Sequence, residues 1–188
     1  MNHTMQVESL AAKEFLVIKG FANLYDTARD ASAVDGDVWE IMRSHFADGA
    51  VERLKEASGS NDVYMLFCNT CKRDDKSKSY VCSYDIACEN LNGSGSNEFG
   101  TVKLKACEYA VYDCEFNNET ALQDAHEPTD ELFWGDNGWL KQKPYVCAID
   151  FLENSGKGYA QIELYTPFDI GAKRFNMQIR YPIIPKDK

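Results

Sequence analysis

Tyr159-Ala160-Gln161-Ile162-Glu163-Leu164-Tyr165-Thr166 is the stretch on which the fold turns. Side chains alternate across a strand, so this segment has two unlike faces. Ala160, Ile162 and Leu164 form a wholly apolar face, expected to pack on helices. Tyr159, Gln161, Glu163 and Tyr165 form the other face, with one acid among aromatics. Upstream, Cys147 to Leu152 reads as a further strand, with the turn Asn154-Ser155-Gly156-Lys157-Gly158 between them. Thr129 to Lys141 reads as a short or broken helix, with Thr129 as N-cap and Gly135 and Gly138 as interruptions. Gly100 to Phe116 reads as one strand.

The same order precedes the linker Asn92 to Asn97 (NGSGSN). Glu14 to Tyr25 reads as a strand. Asp35 to Ser58 reads as a helix that Gly49 interrupts, with Asp35 and Asp37 suited to its N-terminal end. Val63 to Thr70 and Ser79 to Glu89 read as two strands. Two β-α-β-β units in tandem imply an α+β fold, a pseudo-twofold pair of repeats forming a concave antiparallel sheet with helices on one face. The chain reads as one domain over residues 1–188, with halves at about 14–90 and 99–168, a linker at 91–98 and a C-terminal extension at 171–188. Phe175 to Ile184 in that extension reads as a final strand ended by Pro182 and Pro185.

Composition excludes several classes. With 188 residues, 44% of them hydrophobic, the chain is not disordered. No apolar run reaches the length of a membrane span, and Met1 to Lys13 lacks the form of a signal peptide. The expected location is the cytoplasm. Twenty Lys and Arg face 30 Asp and Glu, a net charge of −10, which repels nucleic-acid phosphates. Ala106 to Leu140 holds nine acids and no Lys or Arg. That stretch reads either as solvated loops or as a field that attracts cations. Seven Cys is an odd count, and Cys68-Asn69-Thr70-Cys71 lacks the second CxxC of a zinc ribbon. The cysteines read as reduced, small buried hydrophobes, with no metal and no cofactor. His3, His45 and His126 do not cluster, and no GxSxG, HExxH or phosphate-cradling loop occurs.

The strand Tyr80 to Ala87, taken as the first half's equivalent of Tyr159 to Thr166, places Tyr80, Cys82, Tyr84 and Ile86 on one face. If these faces share a concavity, the site is an aromatic box with a carboxylate at its floor. Such a box suits a flat or lipophilic cation, because aromatic faces attract positive charge. Alternation equally allows Glu163 to sit in solvent on an edge strand, with Tyr159 and Tyr165 as surface aromatics.

Four blocks resemble one family. Asp37-Val38-Trp39-Glu40 resembles the aromatic start of its first helix, and Glu108-Tyr109-Ala110-Val111-Tyr112 resembles its "YAVF" strand. Gly138-Trp139-Leu140 with Lys143-Pro144-Tyr145 resembles "eWLp…GY", and Ile162-Glu163-Leu164-Tyr165-Thr166-Pro167 resembles "EIYIP". The family is the GyrI-like small-molecule-binding domain, which also serves as the effector-binding part of AraC-type and MerR-type multidrug regulators. Where it often carries "aGvev", this chain has Tyr84-Asp85-Ile86-Ala87-Cys88. The resemblance implies a pocket between the halves, with Glu163 meeting cationic ligands and Tyr165 beside it. Trp39 and Trp139 are pocket candidates by the same carry-over. Tyr84, Tyr25 and Tyr112 complete the ligand-binding set.

The leading expectation is a stand-alone binder of amphipathic or aromatic cations, since no helix-turn-helix flanks the domain. It would sense or sequester a drug-like ligand, with a homodimer or a regulator as partner. A hydrolase of cyclopropane-bearing compounds, with Glu163 as general base and Tyr84 or Tyr165 as partner, is the alternative. A gyrase-binding modulator using the acidic stretch ranks third.

Overall fold

The computed structural model describes residues 5–18, 22–26, 31–34, 44–68, 79–117, 131–148, 158–169 and 174–186. The strands in chain order are β1 (Gln6–Leu10), β2 (Lys13–Ile18), β3 (Ala22–Asp26), β4 (Ala31–Val34), β5 (Tyr64–Cys68), β6 (Ser79–Glu89), β7 (Gly100–Leu104), β8 (Cys107–Asn117), β9 (Tyr145–Cys147), β10 (Gln161–Thr166) and β11 (Arg174–Pro185). Among the described residues two helices, α1 (Ala50–Ser58) and α2 (Trp139–Gln142), accompany them. Single helical turns also lie at residues 44–47 and 131–134. The fold is α+β, as expected.

All 11 strands belong to one sheet, with the main order β1-β8-β11-β10-β5-β6-β2-β7. Every described pairing is antiparallel. The order is symmetric about the β10–β5 seam. On either side come β11 and β6, then β8 and β2, then the edges β1 and β7. Each edge strand thus pairs with the opposite half, β1 on β8 and β7 on β2.

This exchange bends the sheet. Leu104 and Cys107 are three Cα steps apart, a reach of about 11 Å. In a flat sheet β7 and β8 would stand about 29 Å apart, six steps of about 4.8 Å. The link from Leu10 to Lys13 faces the same mismatch. The sheet therefore curls at this end, and Leu104 meets Phe15, Tyr109 and Val111 in one buried cluster.

The two sheet faces carry separate cores. Ala160 and Ile162 pack with Phe15, Tyr64, Leu66, Tyr109 and Val111, inside the curl. The opposite face, which bears Tyr165, packs with Ala50, Val51 and Leu54 of α1 and with Phe133. The apolar face of β10 was expected beneath the helices. The strand exchange gives it instead to the sheet's own curl, and α1 covers the Glu163 side.

Other sequence expectations shift for local reasons. Gly49 does break the first helix, with φ of 74°, and α1 begins after it; residues 35–43 lie outside the described ones. Asp48 Oδ1 accepts from the Ala50 amide at 2.8 Å, so a side chain just before the helix serves its open N-terminus. The single strand expected over Gly100 to Phe116 is two, because the chain crosses to the far side of the sheet at Lys105 and Ala106. The C-terminal segment is not an appendage at an edge: β11 lies between β8 and β10. Pro182 falls where β11 has left β10, whose pairing ends at Arg180, and has not yet met β9, whose pairing begins at Ile183. The position suits a residue with no amide to donate.

Candidate functional site

Glu163 lies at the middle of the sheet. It is opposite Met65 on β5 and Ile179 on β11, so β10 is flanked on both sides. The side chain is 1% exposed. That settles the two sequence readings of its place: it is a buried acid, not a surface one on an edge.

Its neighbours follow from register. Ile179 is opposite Tyr112, and Met65 is opposite Ile86. Tyr112, Ile179, Glu163, Met65 and Ile86 thus form one row across five strands, all buried. Four of the five are apolar or aromatic. A carboxylate in such a row is tolerable only with good hydrogen-bond donors. Two come from its own strand. Gln161 Nε2 donates to Oε1 at 2.6 Å, and the Tyr165 hydroxyl donates to Oε2 at 2.8 Å. Residues two apart on a strand share a face, which is why this trio meets without any loop.

Tyr165 is itself held. Its ring lies 5.7 Å from Phe168 and 6.0 Å from Phe175, tilted against both. Phe168 stacks in turn on Phe46, at 5.4 Å. On the same face, two positions along β11 from Ile179, Tyr181 begins a second aromatic run. Phe133 stacks on Tyr181 at 3.9 Å and on Trp139 at 6.1 Å, and Trp139 stacks on Tyr145 at 5.9 Å.

From the expected set the structure brings Tyr165 into contact with Glu163, while Tyr112 shares their face two strands away, with Ile179 between. Trp139 stands in the aromatic run that reaches this face at Tyr181. Tyr84 is opposite Phe67, which is opposite Gln161, so its backbone falls two strands from the trio. Tyr25 is opposite Tyr80 at the outer part of β6. Tyr25 and Tyr84 are described in backbone only, and Trp39 lies outside the described residues. The topology also corrects the pairing of repeats. The counterpart of β10 across the seam is β5, and the strand containing Tyr84 corresponds to β11.

Alternation puts Gln161 on the face of Glu163, yet nothing local marks it as part of the site, and nothing local marks Phe133, Phe168, Phe175 or Tyr181. Only the spacing of Gln161 and Tyr165 around Glu163 carried a signal, since the rest arrive from distant chain segments.

Burial pushes the Tyr112 hydroxyl up from its ordinary value, with nearby Cys114 adding to it. Burial also holds the thiols up, Cys88 and Cys107 at about 11 and Cys114 at about 12. Such thiols are protonated at neutral pH and poor nucleophiles. The second cysteine of the CxxC, Cys71, is outside the described residues.

A shallow open cleft of about 440 Å³ lies on the reverse face of the sheet. Asp113, Glu115, Thr166, Asn176 and Gln178 line it, with Leu164 at its floor. It contains none of the expected site residues. Four acids of the base-free stretch, Glu119, Asp124, Glu127 and Asp130, are outside the described residues.

No protein-family model matches this chain, and no curated protein sequence does. Solved structures do. The structure of SAV2435 bound to tetraphenylphosphonium is similar at a TM-score of 0.59 and 16% identity, covering 96% of this chain and 94% of that one. A putative bacterial transcription regulation protein from Staphylococcus aureus MU50 is similar at 0.57 and 15%, covering 96% and 97%. The EcmrR C-terminal domain is similar at 0.51 and 9%, covering 98% and 99%. At these identities the likeness is one of fold. No helix among the described residues is long and apolar enough to cross a membrane. The protein has the fold of these structures, which fits the GyrI-like resemblance carried by its sequence motifs.

Proposed function

We propose that this protein binds an amphipathic, aromatic cation at the seam between its halves, with Glu163 supplying the negative charge. The observation that carries the reading is a carboxylate 1% exposed at the centre of a covered, aromatic-rich face. Sequestering a carboxylate there is costly, and a bound cation offsets that cost through charge while its apolar body fills apolar space. Tyr165 supplies aromatic surface beside the acid, Tyr112 adds more two strands away on the same face, and Trp139 extends it. Tyr84, Tyr25 and Trp39 join the wall on the strength of the family resemblance. One similar structure was solved with tetraphenylphosphonium, a cation of this kind. The ligand's arrival is then what a regulatory partner senses, or the binding itself removes the compound.

Tetraphenylphosphonium tests the reading directly. A unit charge about 6 Å from the carboxylate, at an effective dielectric of about 20, gains roughly 3 kcal/mol. Glu163→Gln should therefore weaken binding about a hundredfold by calorimetry. Wild-type protein that shows no binding, or a variant that binds equally well, would overturn it. The hydrolase reading draws on the Tyr165–Glu163 hydrogen bond, which gives the proposed base its tyrosine partner. Turnover of a cyclopropane-bearing substrate that Glu163→Gln abolishes would favour it, and no turnover leaves binding.

A further inference from the structure

On the reverse face of the sheet, β11 carries two buried polar atoms that are not matched among the described residues. Gln178 Oε1 accepts from no donor, and Arg180 Nε finds no acceptor. The two residues are two apart on a strand, so they share a face. Asp113 fixes the orientation of the Gln178 amide, its Oδ1 accepting from Nε2 at 2.7 Å. An ionised carboxylate only accepts, so Oε1 must point the other way. Buried polar groups are nearly always met, by protein, water or a ligand.

Gln178 lines the open cleft of about 440 Å³, with Asp113, Glu115, Thr166 and Asn176 around it and Leu164 beneath. Arg180 is the next residue inward on this face, opposite Val111 and Ile162 of the closed apolar cluster. It is half-buried and forms no ion pair among the described residues. Its charge reaches the cleft floor. Burial pushes the Tyr64 hydroxyl up, Asp62 and Glu89 add to this, and Arg180 opposes them. Tyr64 is opposite Leu164. Outward along the face come a cation, an unmet acceptor beside one acid, and a second acid.

We propose that this cleft is a second binding site, for a free amino acid with an apolar side chain. The carboxylate docks on Arg180, whose planar fork takes two oxygens at once. The ammonium carries three donors and meets Asp113 and Gln178 Oε1. The side chain lies on Leu164. Residues two apart on a strand stand about 7 Å apart, a gap that adjoining ammonium and carboxylate groups bridge with one hydrogen bond at each end. Arg180 turns its fork into the cleft to do this, the one rearrangement required. A simple anion would leave Gln178 Oε1 unmet and would face Asp113 and Glu115. A simple cation would be repelled by Arg180 and leave it unpaired. The site is on the opposite face from Glu163 and stands independently of that reading.

Calorimetric titration with L-phenylalanine, 3-phenylpropionate and 2-phenylethylamine tests this, since they share a ring and carry both charges, the negative one or the positive one. Wild-type and Glu163→Gln proteins are both titrated, so that any cation bound on the other face is set aside. Phenylalanine should bind at least about tenfold more tightly than either analogue. Arg180→Met keeps the apolar stem and should close most of the gap between phenylalanine and 2-phenylethylamine. Asp113→Asn, at an exposed position, should close much of the gap between phenylalanine and 3-phenylpropionate, and serves alone should Arg180→Met not fold. Tetraphenylphosphonium binding should be unchanged in both variants. The inference is overturned if phenylalanine does not bind at about 10 mM, if either analogue binds as tightly, or if the variants weaken all the ligands alike. Failure of tetraphenylphosphonium to bind wild-type protein would remove the Glu163 reading and leave this one to the phenylalanine result.

Discussion

Phe133 should be one of the costliest side chains to remove. It is fully buried, and its ring lies parallel to Tyr181, 3.9 Å away and within 5°. Trp134 meets it edge-on at 4.7 Å. A phenylalanine side chain buries about 150–250 Å². At about 25 cal/mol per Å² that is roughly 4–6 kcal/mol of gross stabilisation. A compact denatured state trims this by about a third, and alanine retains a little more of it. The lost ring contacts restore about 1 kcal/mol to the deficit. Phe133→Ala should therefore cost about 3–5 kcal/mol, and Phe133→Leu, which keeps most of the volume, about 1–2 kcal/mol. In urea unfolding the midpoint should fall with little change in slope. In a melt the alanine variant should lose roughly 10 °C. An alanine variant within about 1 kcal/mol of wild type would refute the docking of residues 131–134 onto Tyr181, because no relaxation of a close-packed site hides a hole of this size.

Two smaller perturbations probe the fold elsewhere. The thiols of buried Cys88 and half-buried Cys107 are held up to about 11 and that of half-buried Cys114 up to about 12, from an ordinary 9.0, desolvation being the main cause in each. The unfolded chain sheds these protons from about pH 9 while the fold keeps them, so stability present below about pH 9 should drain away towards pH 11. Melting temperature against pH should show this decline, and Cys114→Ala should make it shallower; an unchanged slope would argue against burial of that thiol. Gly59 ends α1 with φ of 75°, its N–H donating to the Lys55 carbonyl at 2.9 Å. A Cβ there would come within 2.6 Å of Asn92 Oδ1. Gly59→Ala should cost about 1–2 kcal/mol in chemical denaturation, and a neutral result would deny the left-handed cap.

How much of this was legible beforehand depends on the range over which each cause acts. Strand β10 is a local matter: its alternation marked both faces and placed Gln161, Glu163 and Tyr165 together. The break at Gly49 is equally local, because a positive φ is a property of one residue. Strand β1 and the division between β7 and β8 carry no such local signal. No glycine or proline marks Lys105-Ala106, and β1 (QVESL) has four exposed residues in five. Its place is set by pairing with β8, which is about a hundred residues away in sequence.

The same long-range pairing explains why the faces of β10 were identified yet assigned to the wrong neighbours. Ala160-Ile162-Leu164 is the more apolar side, and a helix is the usual cover for such a surface. The exchange of β1 and β7 changes the geometry, because two three-step links must each span what six strands separate when flat. Only curling meets that demand, and it turns one face of the sheet in upon itself. Where the surface closes, around Phe15, Leu104, Tyr109 and Ile162, it has no room for helices and is apolar, and its open end carries the polar cleft. The helices are left to the other face, and that face can then tolerate one acid with its donors. The placement of Glu163 thus follows from chain crossings at residues 11–12 and 105–106, far from it in sequence. Shortening or lengthening those links should disturb the carboxylate's surroundings with β10 itself unchanged.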